Sequence, residues 1–241
     1  MLNYREVLGY RFVNNTMDEL VREVTLRINH EQKTFIVTAN PEIITYAESH
    51  AYYEEILKNS DYIIPDGIGI VIASRLKGTP LQERLAGFDL MYNLLKLSNQ
   101  HHYKVYLLGT KRDIIDLSAL NIKKAFPNLE IVGYHHGYFH NDKPIIEEIK
   151  RTQPDLVFVG LGFPKQEQWI SHNLEQFQKG IFIGVGGCLN IWGGVNKRAP
   201  RFMRTLYLEW LYRLIKEPSR SRRMLAIPVF LKRVLRNEFN K

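Results

Sequence analysis

The sequence of 241 residues contains a single cysteine, Cys188, so an internal disulfide is excluded. One free thiol is typical of a protein of the reducing cytoplasm. No uncharged apolar stretch approaches the ~20 residues that a membrane-spanning helix requires. The first twenty residues carry charges throughout, unlike a signal peptide. We therefore expect a cytoplasmic protein that is at most peripheral to the inner face of the cell membrane.

Two common nucleotide-binding motifs are also missing. The sequence has no Walker loop, and its first predicted body strand, 34–40, ends in TANPEI. A nicotinamide dinucleotide site would instead carry G-x-G-x-x-G at that point, with an acidic residue about 20 positions later. A nicotinamide oxidoreductase is therefore a poor interpretation, and binding of that cofactor would be its test.

Positive charge is concentrated at the C-terminal end. Residues 197–241 hold 13 of the 33 Lys and Arg but 3 of the 25 Asp and Glu, a balance of +10 against −2 for residues 1–196. This asymmetry predicts a body at 1–196 and a basic appendage at 197–241 with an anionic partner. Basic and apolar residues interleave there, as at the interface of an anionic membrane. A nucleic-acid-binding module is the alternative, disfavoured because the appendage has no recognisable motif and the body is slightly acidic.

Apolar runs typical of strands alternate with runs typical of helices through the body. The predicted strands are 34–40, 62–65, 104–109, 155–162 and 180–187, with a strand and loop at 130–139. The predicted helices are 41–60, 67–78, 88–100, 111–126, 144–153 and 164–177. This order predicts an α/β fold: a mostly parallel, Rossmann-like sheet with helices on both faces, followed by the basic helical C-terminal appendage.

Glycines and polar side chains recur where the predicted strands end. In VGLGFPKQEQW, residues 159–169, two glycines join a strand to a helix. Such a turn directs free N–H groups and the positive helix end at a bound anion, usually phosphate. An ordinary tight turn is the alternative. Because ligands bind at the carboxyl ends of parallel strands, the candidate residues are Thr38, Asn40, Asp66, Gly109, Gly160, Gly162, Gly186 and Gly187.

The blocks TANPE, PDGIG, GLGFPKQEQW, GVGG and KRAPRFMRTLYLEWLYRLIKEPSR together resemble the WecG/TagA/CpsF family of bacterial glycosyltransferases over nearly the whole chain. The resemblance is nearest to the teichoic-acid branch. It implies inverting, β-1,4 transfer of N-acetylmannosamine from a UDP donor to undecaprenyl-diphosphate-linked N-acetylglucosamine. A UDP-N-acetylmannosaminuronic acid or other UDP-hexose donor, for an enterobacterial-type antigen or capsule, is the alternative. Members often carry Asp where this chain has Asn190, so the role of Asn190 is left open.

An inverting transfer needs a base for the acceptor hydroxyl and stabilisation of the departing UDP. Asp66, a lone carboxylate after an apolar strand, fits the base. No Asp-x-Asp pair is present to hold a metal on the diphosphate, so cations and helix N-termini must meet its charge. We predict catalysis without metal or cofactor. The candidate catalytic residues are Asp66, Arg84 and Gln168, with Lys165 binding the donor.

The family's tail block carries arginines that are expected to close over the active site and meet the diphosphate. In this sequence they match Arg213, Arg220 and Arg223. The implied partners are the UDP-sugar donor, the polyprenyl-diphosphate-linked acceptor and an anionic membrane surface, with no nucleic acid. Whether the chain forms a homo-oligomer is left open.

Overall fold

A computed structural model describes residues 2–216 and 226–236 and shows an eight-stranded sheet. Its strands are β1 (Tyr4–Val7), β2 (Tyr10–Val13), β3 (Lys33–Ala39), β4 (Tyr62–Pro65), β5 (Lys104–Gly109), β6 (Glu130–His135), β7 (Leu156–Gly160) and β8 (Gly180–Gly184). They lie in the order β1-β2-β4-β3-β8-β7-β5-β6. The β1–β2 pair is antiparallel and the other described pairs are parallel. The predicted mostly parallel α/β fold is confirmed.

Twelve α-helices lie within the described ranges. They are α1 (Met17–Asn29), α2 (Pro41–Ser49), α3 (Ala51–Lys58), α4 (Ile68–Leu76), α5 (Gly87–His101), α6 (Arg112–Ala125), α7 (Lys143–Thr152), α8 (Lys165–Asn173), α9 (Cys188–Trp192), α10 (Arg201–Thr205), α11 (Glu209–Lys216) and α12 (Ala226–Leu235). None of these helices combines the length and the apolar character that crossing a bilayer requires.

Two apolar clusters cover the two faces of the sheet. One contains side chains of α2, α3, α4, α7, α8 and α12, and the other contains side chains of α1, α5, α6 and α9. Every residue of β7 and β8 is buried as a result. This explains why these strands are continuous apolar runs in the sequence, without polar residues at alternate positions. The prediction of helices on both faces is confirmed.

The N-terminal hairpin and α1 were missed by the sequence-based assignment. The interpretation of 34–40 as the first strand was wrong, because β1 and β2 precede it. A signal for α1 was present: Thr16 caps the helix through the Glu19 N–H, and the Glu19 carboxylate accepts from the Thr16 N–H at 2.8 Å. The predicted helix 41–60 is interrupted at His50, whose ψ of 84° is not helical.

The C-terminal helices pack against the body in the part that the structure describes. Helix α12 lies on α2 and α4, where Phe230 and Val234 are buried. Arg233 Nη2 lies 2.8 Å from Glu48 Oε2. Helix α11 brings the buried Glu209 to the carboxyl edge of the sheet. The division into a body at 1–196 and an appendage at 197–241 stays a prediction.

Candidate active site

A cleft of about 630 Å³ opens at the carboxyl ends of the parallel strands. This is the edge where ligands of parallel α/β sheets bind. It groups most of the candidates from the sequence: Thr38, Asn40, Asp66, Arg84, Gly160, Gly162, Lys165, Gly186 and Gly187. Among the described candidates, Gly109 and Gln168 do not line it.

Asp66 follows β4 and presents its carboxylate to the cleft. Its Oδ1 accepts a hydrogen bond of 2.9 Å from the N–H of Gly87, the first residue of α5, and its side chain is 30% exposed. A local Asx turn would instead bond a backbone group two residues further on. The Asp66 carboxylate is therefore held by a distant element and still reaches solvent in the cleft.

Arg84 lies beside Asp66 and is mostly buried. Its Nε donates to the carbonyl oxygen of Asp66, and its Nη2 lies 3.6 Å from Asp66 Oδ1 and 3.1 Å from Glu209 Oε2. Burial lowers the pKa of the guanidinium, but Asp66 and Glu209 outweigh burial and raise it above its ordinary value. Arg84 is thus a permanent cation shared by two carboxylates.

Glu209 is a cleft residue that sequence reasoning missed. It opens α11 and is 4% exposed, although it lies in a strongly basic part of the chain. The sequence did contain a signal for this residue, because Glu209 is one of three acidic residues among 197–241. An acid in such a setting suggests a specific basic partner.

The turn at Gly184–Gly187 is held by side chains from two other elements. Thr38 Oγ1 donates to the Gly184 carbonyl at 2.8 Å, and the Gly186 N–H donates to Gln166 Oε1 at 2.9 Å. Gly186 has a φ of +51°, which favours glycine. The turn therefore keeps a fixed shape at the cleft.

Gln166 lies at the place in the cleft where the sequence predicted Gln168. Gln166 is 3% exposed and lines the cleft, whereas Gln168 is half-buried outside it. Both glutamines lie within one turn of Lys165 at the start of α8. The sequence alone does not show which of them faces the cleft, because that depends on where the helix begins.

Gly109 allows two strands to approach closely. A Cβ at Gly109 would overlap the backbone of Gly160, and its φ of +144° is also unfavourable for other residues. The next residue, Thr110, lines the cleft, and its Oγ1 donates to Asn190 Oδ1. Asn190, whose role the sequence left open, therefore lines the cleft and accepts a hydrogen bond from the residue that follows β5.

Asn40 and Lys165 lie at helix N-termini that face the cleft. Asn40 Oδ1 caps α2 by accepting from the Ile43 N–H at 3.0 Å. Lys165 is exposed and begins α8. Both helix ends place partial positive charge at the cleft, which favours an anionic ligand.

The tail arginines fall largely outside what the structure describes. Arg213 belongs to α11, but its side chain is not described, and Arg220 and Arg223 lie outside residues 2–216 and 226–236. Arg198 is described: its Nη2 lies 2.6 Å from Asp89 Oδ1, and its guanidinium stacks over Phe88 at the cleft wall. In those ranges no three His, Cys, Asp or Glu side chains are grouped as a metal site requires.

Comparison with known proteins identifies relatives across nearly the full length. A family model described as "Glycosyl transferase WecG/TagA/CpsF family" matches residues 5–241. A Staphylococcus aureus (strain MW2) protein named N-acetylglucosaminyldiphosphoundecaprenol N-acetyl-beta-D-mannosaminyltransferase is 39% identical over 232 residues, covering 95% of this chain and 91% of the relative. A Bacillus spizizenii protein of the same name is 40% identical over 232 residues, covering 93% and 90%.

Proposed function

Because the chain belongs to the WecG/TagA/CpsF family of glycosyl transferases, we propose that it transfers N-acetylmannosamine from its UDP donor to undecaprenyl-diphosphate-linked N-acetylglucosamine. The transfer inverts the donor configuration, forms a β-1,4 linkage and serves the wall teichoic acid linkage unit. The observation that carries the proposal is the 39–40% identity to relatives of that printed name over at least 93% of the chain.

Asp66 is the proposed base. Its carboxylate reaches the cleft while one oxygen is fixed by Gly87, so it is oriented to take a proton from the acceptor hydroxyl. Arg84 holds the same segment through the Asp66 carbonyl. Since Arg84 is already shared by two carboxylates, its proposed part in catalysis is to orient Asp66.

Backbone donors and Lys165 are the proposed partners of the donor diphosphate. Lys165 is exposed at the cleft, and Gly162 and Gly187 leave open space beside their backbones. Donors fixed before the reaction stabilise charge that develops on a leaving group without reorganisation. UDP can therefore depart without a metal in this proposal, and no cofactor is used.

The acceptor's lipid places the enzyme on the inner face of the cell membrane in this proposal. Helix α10 and the residues after it expose large apolar side chains: Phe202 is 65% exposed and Leu206 is 62% exposed. Arg201 is exposed on the same helix. Apolar and basic groups together favour the interface of an anionic membrane.

A donor panel tests the proposal. The full-length protein is assayed with a soluble lipid-diphosphate-linked N-acetylglucosamine analogue and the UDP forms of N-acetylmannosamine, its uronic acid, N-acetylglucosamine and glucose. We expect transfer from UDP-N-acetylmannosamine, with a β configuration in the product by NMR. Preference for the uronic acid or a hexose would support the alternative donor, and an α product would contradict inversion.

A further inference from the structure

Two polar side chains of α8 enter the apolar interior behind the Gly184–Gly187 turn. Gln166 is 3% exposed and Glu167 is fully buried. Gln166 Nε2 donates to Glu167 Oε1 at 2.7 Å, while Gln166 Oε1 accepts from the Gly186 N–H at 2.9 Å. Because the Gly186 N–H only donates, the oxygen of the Gln166 amide faces Gly186, and its NH2 group then needs the acceptor that Glu167 Oε1 supplies.

Tyr53 of α3 lies at the other end of this group. Its hydroxyl and Glu167 Oε2 are both buried, and neither has a hydrogen-bond partner among the described residues. The two groups still act on each other: burial raises the pKa of Tyr53, and Glu167 raises it further. Tyr53 therefore stays a neutral hydroxyl near the Glu167 carboxyl group.

The packing around this group leaves little freedom. A Cβ at Gly184 would lie 2.6 Å from Gln166 Nε2 and 3.2 Å from Glu167 Oε1, so a larger residue at the end of β8 would displace both side chains. The ring of Tyr53 packs edge-on against Phe163 at 5.5 Å. Burying polar groups in this way costs free energy unless they are bonded to one another.

Glu167 does not line the cleft, whereas Gln166 and Gly186 do. Glu167 therefore does not contact substrate, and any effect on the reaction passes through its neighbours. We propose that Glu167 is a positioning residue: by fixing the Gln166 amide, it holds the Gly186 turn in the shape that binds the donor diphosphate. This inference rests on the proposed function, because it requires the turn to bind the UDP part of the donor.

The test compares Glu167 with a part-buried carboxylate–tyrosine contact elsewhere. Tyr106 is fully buried and its hydroxyl donates to Glu148 Oε2 at 2.6 Å, and neither residue lines the cleft. Glu167→Met keeps the side-chain length and removes the acceptor, whereas Glu167→Gln retains an acceptor oxygen. Glu148→Met and Glu148→Gln are the matched controls.

We expect Glu167→Met to raise the UDP dissociation constant and the donor KM by about three- to tenfold, as loss of a buried hydrogen-bond network does, with kcat within about twofold. Glu167→Gln should stay near the unmodified protein. Both Glu148 variants should change thermal stability at most. Hydrogen exchange at the Gly186 amide, measured without ligand, should accelerate in Glu167→Met and in none of the others.

Unchanged UDP affinity and unchanged Gly186 exchange in folded Glu167→Met would overturn the inference, as would an equal effect of Glu148→Met. If Glu167→Met does not fold, Glu167→Leu replaces it, since it also removes the acceptor of the Gln166 amide, and faster exchange at Gly186 is again required. The two proposals fail differently. A protein that binds UDP and transfers sugar but ignores Glu167 refutes the positioning role alone, whereas a protein that binds no UDP refutes both.

Discussion

Arg84 Nη2 lies 3.1 Å from Glu209 Oε2, which joins the loop between α4 and α5 to helix α11. The same guanidinium lies 3.6 Å from Asp66 Oδ1. One buried cation thus connects the proposed base with a residue 143 positions further along the chain. Helix α11 therefore forms part of the cleft.

Glu209→Gln should reduce turnover by about tenfold, because the neutral amide holds the Arg84 guanidinium less strongly than the carboxylate does and lets it move toward Asp66. Steady-state kinetics with a soluble acceptor analogue measures this. Glu175→Gln is the control: Glu175 pairs with Lys33 at 2.6 Å but is 86% exposed, so its loss should have little effect. Equal rates in both variants would show that the Arg84–Glu209 pair does not matter for catalysis.

Asp66→Asn should lower turnover by roughly 10²–10⁴, the usual contribution of a general base. The amide keeps an oxygen for the Gly87 N–H, so the local structure should survive. UDP affinity should change little, because the base faces the acceptor. Pre-steady-state or steady-state rates together with UDP titration separate these effects, and near-normal turnover would refute the assignment.

Activity should survive a metal chelator. Lys165, the helix N-termini and the glycine turns supply positive charge for the departing diphosphate in the proposed reaction. Rates are compared before and after EDTA treatment, with magnesium or manganese added back. Complete loss that either metal restores would show that the leaving group needs a cation from solution.

The sequence predicted the fold and the edge of the sheet better than it predicted individual side chains. Apolar runs such as β7 and β8 are readable because burial on both faces requires them. The choice between Gln166 and Gln168 depends on the phase of α8, which its first residue sets. The Arg84–Glu209 contact depends on how α11 packs on the body, a tertiary property that no local pattern encodes.

Glu167 should make stability depend on pH. Burial raises its pKa from an ordinary 4.5 to about 7, with the Gln166 bond, its own backbone N–H and Tyr53 acting in the opposite direction. The folded state therefore binds a proton that the unfolded state releases between pH 4.5 and 7, and the free energy of unfolding falls as pH rises through this window. Across the whole window the free energy of unfolding should fall by about 3 kcal/mol, at 1.36 kcal/mol per pKa unit.

Glu167→Gln removes this titration. The free energy of unfolding of the variant should therefore rise relative to that of the unmodified protein between pH 5 and pH 8. Urea unfolding at both values gives the two free energies for each protein. Other titrating groups affect both proteins equally, which makes the difference between them informative. A constant difference across this range would show that Glu167 is ionised throughout in the folded state.

The tail arginines should act on catalysis as well as on membrane binding. Removing the hydrogen bond from Arg213, Arg220 or Arg223 to a phosphate should cost about 1.5–3 kcal/mol, the range for hydrogen bonds to charged groups. Replacing these arginines is preferable to truncation, because Phe230 and Val234 are buried against the body and their removal would expose apolar surface.

Alanine variants are assayed with acceptor in anionic vesicles and with a soluble analogue, and Lys232→Ala, an exposed tail cation, is the control. If the arginines meet the diphosphate, both rates fall and the control keeps its soluble rate. If they only hold the membrane, the vesicle rate falls and the soluble rate is preserved, since a soluble acceptor needs no anchor.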